Sequence, residues 1–182
     1  MQTTFTGAST GIRPFQPSDI DLLFAAARES LKDLSPWLPW CHMDYSISDS
    51  KSWVMGREAA WEKSEEYSFV IFEVKSGAFL GGVGLHHINK LDRCANVGYW
   101  VRTSRTGQGI APAAVRMLAN FGFQELNLNR LEIIIGLGNK ASQRVAEKVG
   151  AKREGLLRKR IWLDGAAHNA LLYSLVPEDL DA

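Results

Sequence analysis

Gly98-Tyr99-Trp100-Val101-Arg102-Thr103-Ser104-Arg105-Thr106-Gly107-Gln108-Gly109-Ile110-Ala111-Pro112 runs from an aromatic, β-branched segment through two glycines to a proline. Its beginning predicts the end of a strand at about residues 95–101. Pro112 predicts the first turn of a helix, where its missing N–H removes no hydrogen bond. Between them lies a loop, residues 102–111, in which Gly107 and Gly109 permit positive φ and close approach of a ligand. A helix start adds unpaired N–H groups and a partial positive charge, a combination suited to a pyrophosphate. A Walker loop would need Gly-Lys-Ser/Thr after its second glycine, where Ile110-Ala111-Pro112 stands. A Rossmann fingerprint would need a third glycine at Pro112 and a parallel βαβ unit around it. Taken alone, the loop is also compatible with a plain Gly-rich turn.

Upstream, residues 68–74 and 79–88 are rich in β-branched and aromatic side chains and are separated by Lys75-Ser76-Gly77, a hairpin turn. After a polar break at residues 89–93, the strand at 95–101 completes an antiparallel meander. A short first strand is expected near residues 12–15. Pro17-Ser18-Asp19 then opens a helix carrying Ile20, Leu23, Phe24, Ala27 and Leu31. Two prolines in Leu34-Ser35-Pro36-Trp37-Leu38-Pro39-Trp40 exclude a regular helix there. Ser48 or Asp49 caps a second helix with Trp53, Val54, Ala60 and Trp61.

Downstream, the helix begun near Pro112 carries Ala114, Leu118 and Phe121 on one face and Arg116, Asn120 and Gln124 on another. Residues 130–137 are apolar at nearly every position, as in a strand buried on both faces. Asn139 starts another helix, with Ala141, Val145 and Val149 on one side, ended by Gly150. Residues 156–163 and 170–176 form a hairpin around Asp164-Gly165. The whole predicts one mixed α+β sheet in a single domain spanning residues 1–182.

Composition restricts the function classes. The chain has 182 residues, 46% hydrophobic and 23% charged, enough for one full core. A net charge of +1 suggests no electrostatic attraction to nucleic acid or membrane. No apolar run approaches the roughly 20 residues a membrane helix needs, and no secretory leader is apparent. Cys41 and Cys94 form no C-x-x-C pair or metal-ligand spacing, so free thiols, no metal and a cytoplasmic setting are expected.

With these residues in order, the chain resembles the GNAT superfamily of N-acetyltransferases, in the branch of the ribosomal-protein alanine and serine N-acetyltransferases. Gly-x-Gly-x-Ala after Gly98-Tyr99-Trp100 looks like the family's coenzyme A loop. The resemblance covers nearly the whole chain, through Ile12-Arg13-Pro14-Phe15, Trp37-Leu38-Pro39-Trp40, Gly84-Leu85-His86 and Asn129-Arg130-Leu131. It continues through Asn139-x-x-Ser142, Glu147-Lys148-Val149-Gly150 and Leu172-Tyr173-Ser174-Leu175. It implies a mostly antiparallel seven-stranded sheet with helices on both faces, splayed between the fourth and fifth strands. Acetyl-CoA is the implied cofactor. Its pantetheine arm would pair with the strand at Trp100, Val101 and Arg102. Its pyrophosphate would sit on Gly107, Gln108, Gly109, Ile110 and Ala111, with Arg105 and Thr106 beside it. Thr106 replaces the Gln or Arg usual in the family, and Ala151 replaces a frequent Phe.

The implied reaction is direct attack of a neutral amine on the thioester, which requires a proton acceptor, an oxyanion donor and a donor for the departing sulfur. The resemblance places the counterpart of Ser142 beside the coenzyme sulfur, with Asn139 nearby; on spacing alone Asn139 is an N-cap and Ser142 a first-turn polar residue. The oxyanion donor is expected to be a main-chain N–H around Trp100. Asn96 and Ile161 stand where relatives carry Glu, which leaves His86, Glu154 and His168 as candidate bases; His86 suits the task by its ordinary pKa near 6.5. Deprotonation through water is the alternative. The resemblance makes Trp37 and Trp40 walls of the acceptor channel, although both are also credible core plugs, and pairs His168-Asn169 with a family His-Asp.

The acceptor expected first is a peptide N-terminal amine. Second is a small amine: an amino acid, polyamine, aminoglycoside or aminoacyl nucleotide. A third reading is a non-catalytic acetyl-CoA-binding module. The oligomeric state stays open, a homodimer included.

Overall fold

Positive backbone angles sit where the turns were expected: Gly77 has φ 73°, Asp164 48° and Gly165 72°. These conformations close two hairpins in the computed structural model, which describes residues 2–180. The strands are β1 (Phe5–Thr6), β2 (Thr10–Pro14), β3 (Tyr67–Glu73), β4 (Phe79–Asn89), β5 (Cys94–Val101), β6 (Arg130–Gly136), β7 (Lys152–Leu163) and β8 (Ala166–Leu175). They form one sheet in the order β1-β2-β3-β4-β5-β6-β8-β7. Every pairing is antiparallel except β5 with β6. The helices are α1 (Ile20–Leu34), α2 (Ile47–Met55), α3 (Arg57–Glu62), α4 (Ile110–Asn120) and α5 (Lys140–Lys148). An eighth strand joins the expected seven because Phe5 and Thr6 pair with Ile12 and Gly11. The expected opening between the fourth and fifth strands therefore falls between β5 and β6.

Strand alternation divides the molecule into two apolar layers. On one face Val83, Leu85 and Val97 pack with Ala114, Val115 and Leu118 of α4, with Ala146 of α5 and with Val149 just after it. On the other, Val70 and Phe79 meet Leu23 and Ala26 of α1 and Val54 of α2, with Trp53 and Trp100 at the margin. Phe121 is fully buried, and Trp61, Tyr67 and Phe69 surround it with ring centroids 5.1–5.9 Å away.

Three local expectations need correction. The second helix is capped by Ser46, two residues before Ser48 and three before Asp49, because the Asp49 carboxylate accepts from the Ser46 amide at 2.7 Å. It also ends at Gly56, where α3 begins. β6 is not buried on both faces: Leu131, Ile133 and Ile135 are buried while Arg130, Glu132, Ile134 and Gly136 are not. The stripe expected on α5 is divided as well: Gln143, Ala146 and Val149 are buried and Val145 is partly buried against the core, whereas Ala141 is exposed toward the cleft. A cleft opens beside the later part of β6 and the start of α5, where Ile134, Gly136 and Ala141 line it.

Candidate active site

β5 and β6 are paired only through Cys94↔Arg130, Ala95↔Leu131 and Asn96↔Glu132. Beyond Asn96 the strands part, and residues from Val97 to Val101 and from Ile133 to Gly136 line a cleft of about 980 Å³. The Arg102 amide donates to the Leu80 carbonyl at 2.9 Å. In the observed register, antiparallel bonding then alternates, so Asn96, Gly98 and Trp100 bond to β4. The main-chain groups of Val97, Tyr99 and Val101 face the opening. This corrects the expectation for Trp100 and Arg102, whose amides are engaged by β4. The Trp100 carbonyl lies so close to Gly81 that a Cβ there would come within 2.1 Å of it.

The loop after β5 is held by α1. Ser30 Oγ accepts from the Thr103 amide at 3.0 Å, and Glu29 Oε1 accepts from the Ser104 amide at 2.9 Å. Asp33 Oδ2 accepts from Thr103 Oγ1 at 2.7 Å. The Arg102 guanidinium also donates to Glu29, which holds that carboxyl down at about 2. With its free end anchored, the loop turns at Gly107 and Gly109 (φ 76° and 77°) and enters α4 at Ile110. A Cβ at either glycine would meet nothing within 4 Å, so this backbone is open to approach. Arg105, Thr106, Gly107, Gly109, Ile110 and Ala111 line the cleft; Arg102 and Gln108 do not. Arg105 has only a long contact, 3.4 Å, with Glu73.

Across the cleft, Asn139 caps α5 by accepting from the Ser142 amide at 3.0 Å. Ser142 Oγ lies 2.8 Å from the Tyr99 phenol oxygen, and Tyr99 also donates to the Ser142 carbonyl at 3.0 Å. Burial pushes Tyr99 up to about 12, with the Ser142 bond opposing. Further along α5, Arg144 and Lys148 reach the same space.

The opposite end of the cleft is walled by Trp37, Leu38 and Pro39 and by residues 160–163 of β7. The Trp37 ring lies on Gly136 and Gly138: a Cβ at either would stand 3.2 Å from it. Trp40 lies outside the lining, with its ring 5.5 Å from Trp100 and 5.7 Å from Tyr45. Asp33 is the one carboxylate among the described lining residues, against Arg105, Arg144, Lys148 and Arg160.

The three candidate bases are placed differently. Glu154 accepts from Arg130 at 2.7 Å and from Ser174 at 2.6 Å, which holds it at about 2 and away from the cleft. His168 is exposed, with Nε2 3.2 Å from the Leu163 carbonyl, and does not line the cleft. His86 also lies outside the lining, but its ring covers Gly98, which does line it; a Cβ on Gly98 would stand 2.9 Å from His86 Nε2. His86 Nδ1 is 3.7 Å from Glu66, and burial lowers its pKa against the pull of that carboxylate. Cys41 is buried and pushed up to about 11, which leaves it protonated and unreactive.

The arrangement suits coenzyme A. Unpaired main-chain groups along β5 can pair with an amide-bearing arm, open amides at the loop can take a pyrophosphate, and Arg105, Arg144 and Lys148 add positive charge. Sequence reasoning missed Tyr99 as a partner of Ser142, although it stands in the deciding stretch. It also missed Glu29, Ser30 and Asp33, whose role depends on where α1 docks.

Comparison with known proteins agrees with this geometry. The sequence profile of the family described as Acetyltransferase (GNAT) domain matches residues 10–152. The ribosomal-protein-serine acetyltransferase of Escherichia coli (strain K12) is 29% identical over 139 residues, 76% of each chain. Mycobacterium smegmatis RimJ in complex with CoA-disulfide superposes with a TM-score of 0.89 at 28% identity, covering 100% of this chain and 90% of that one. RimL, a ribosomal L7/L12 alpha-N-protein acetyltransferase in complex with coenzyme A, shares the fold, with a TM-score of 0.87 at 22% identity over 96% of this chain and 97% of that one.

Proposed function

This chain belongs to the GNAT acetyltransferase family, uses acetyl-CoA, and on that premise we propose that it acetylates the N-terminal α-amine of a peptide or protein by direct attack. The observation that carries the proposal is the opening between β5 and β6, which joins the glycine loop and α5 at one end to the Trp37–β7 wall at the other. Donor and acceptor can thus meet across the sheet. Bound acetyl-CoA supplies an activated acetyl thioester. The main-chain groups of Val97, Tyr99 and Val101 would hold its arm, and the Val101 or Tyr99 amide could stabilise the oxyanion. His86, neutral because burial lowers its pKa, lies outside the lining behind Gly98 and would take the proton of the attacking amine through water. After amine addition the C–S electron pair would leave with the sulfur, toward which the Ser142 hydroxyl could donate a hydrogen bond. A cytosolic setting agrees with the two free thiols.

The acceptor end favours a peptide over a polyamine. The one carboxylate among the described lining residues of the whole cleft, Asp33, lies by the glycine loop and is bonded to Thr103, whereas a polycation would need several free acidic groups. Aromatic and proline side chains suit a peptide body. Arg160 supports a second reading, an acceptor carrying an anion such as an acidic peptide or an aminoacyl nucleotide. Purified protein with acetyl-CoA would be offered peptides of varied N-terminal residue, polyamines, aminoglycosides, amino acids and an aminoacyl nucleotide, with acetylation followed by mass. Peptides should turn over fastest; turnover confined to free small amines would refute the peptide reading, and binding without turnover would indicate a non-catalytic module.

A further inference from the structure

We propose that Tyr99 is a positioning residue for Ser142: its phenol, carried on the open edge of β5, sets the direction of the Ser142 hydroxyl hydrogen and thereby whether the departing sulfur receives a hydrogen bond. The inference deepens the role given to Ser142 above and rests on it.

The geometry leaves the pair two arrangements. The phenol has one hydrogen and two acceptors within reach, the Ser142 carbonyl at 3.0 Å and Ser142 Oγ at 2.8 Å. If the hydrogen goes to the carbonyl, the serine hydrogen points back to the phenol oxygen and away from the cleft. If it goes to Oγ, the serine hydrogen is free to enter the cleft. The main chain of Ser142 cannot turn to compensate, because Asn139 Oδ1 holds its amide at 3.0 Å. A negative sulfur selects the second arrangement, since a hydrogen bond to an ionised acceptor is about twice as strong as one between neutral groups. Without the phenol, a helical serine hydroxyl bonds to a nearby main-chain carbonyl instead.

The pair donates hydrogen bonds and does not surrender a proton. Burial holds Tyr99 at about 12, so it is roughly a thousandfold or more weaker as an acid than a free thiol of about 8.5. The sulfur therefore departs as thiolate and takes its proton from solvent after release.

The test needs no acceptor. The thiol of coenzyme A bound to the protein is titrated by its ultraviolet thiolate absorbance in wild type, Tyr99→Phe, Ser142→Ala and the double variant. In wild type it should ionise below the free value of about 8.5. Each single substitution should raise the bound thiol by about one pH unit, the worth of one hydrogen bond to a charged group. The double variant should match Ser142→Ala alone. Coenzyme A affinity and Tm of Tyr99→Phe should stay near wild type. Wild-type ionisation in Tyr99→Phe beside a shifted Ser142→Ala would overturn the role of Tyr99 and leave Ser142 standing. A double variant shifted beyond Ser142→Ala would also overturn it, because Tyr99 would then act independently. No shift in Ser142→Ala would remove the Ser142 reading and this inference together.

Discussion

The imidazole of His86 lies across Gly98, outside the cleft lining, with Glu66 3.7 Å from its Nδ1 and its pKa drawn below the ordinary 6.5 by burial. A base works when neutral, so kcat/KM should be full above that lowered pKa and fall as pH drops through it. The acid limb of the profile is expected below about pH 6.5. His86→Gln should abolish this limb and lower kcat by about a hundredfold; an unchanged limb in that variant would exclude His86. Single residues were unevenly legible. Ser142 and the loop glycines could be named from their motifs, but the division between Trp37, seated on Gly136 and Gly138, and Trp40, outside the lining, could not. Both stand in the same proline-bearing loop, and only the end of β6 distinguishes them. Gly136→Val should push Trp37 and Ile161 aside, raising KM for the acceptor several-fold with acetyl-CoA affinity unchanged, as titration calorimetry and acceptor kinetics would show.

At the scale of elements, the turn from β5 into α4 depends on backbone that L side chains rarely adopt. Gly109→Ala keeps free space around its Cβ but retains a φ of 77°, so it should cost about 1–2 kcal/mol of strain and weaken acetyl-CoA binding. Denaturant unfolding with calorimetric titration would measure both, and unchanged affinity would argue against the loop as the pyrophosphate seat. In α5 the cap and the site are joined, since Asn139 fixes the amide of Ser142. Asn139→Ala should lower stability by about 1 kcal/mol. The hairpins at Gly77 and at Asp164-Gly165 were readable because turn residues act locally. The start of α2 was misread because Ser46, Ser48 and Asp49 all have capping chemistry, and which of them caps depends on where the preceding loop releases the chain.

For the whole molecule, ion pairs between distant elements give an acid response. Glu29 and Glu154 are both held at about 2, by Arg102 and Arg130, below their ordinary 4.5. Their contribution is complete above about pH 4.5 and is lost as pH falls toward 2. Both are largely exposed, so each is worth under about 1 kcal/mol. Tm should decline across that window, and less steeply in Glu154→Gln. The unfolding midpoint against pH checks this. The alternation of apolar residues, the turn residues and the glycine loop were written in the sequence, because strand, turn and helix-start preferences arise within a few residues of chain. They determined a mixed sheet with a glycine turn leading into a helix start. The parting of β5 from β6 after Asn96, the docking of α1 on residues 102–104, and the meeting of Tyr99 with Ser142 join residues tens of positions apart. Only tertiary packing decided these, because no local preference records which side chains will share a cleft.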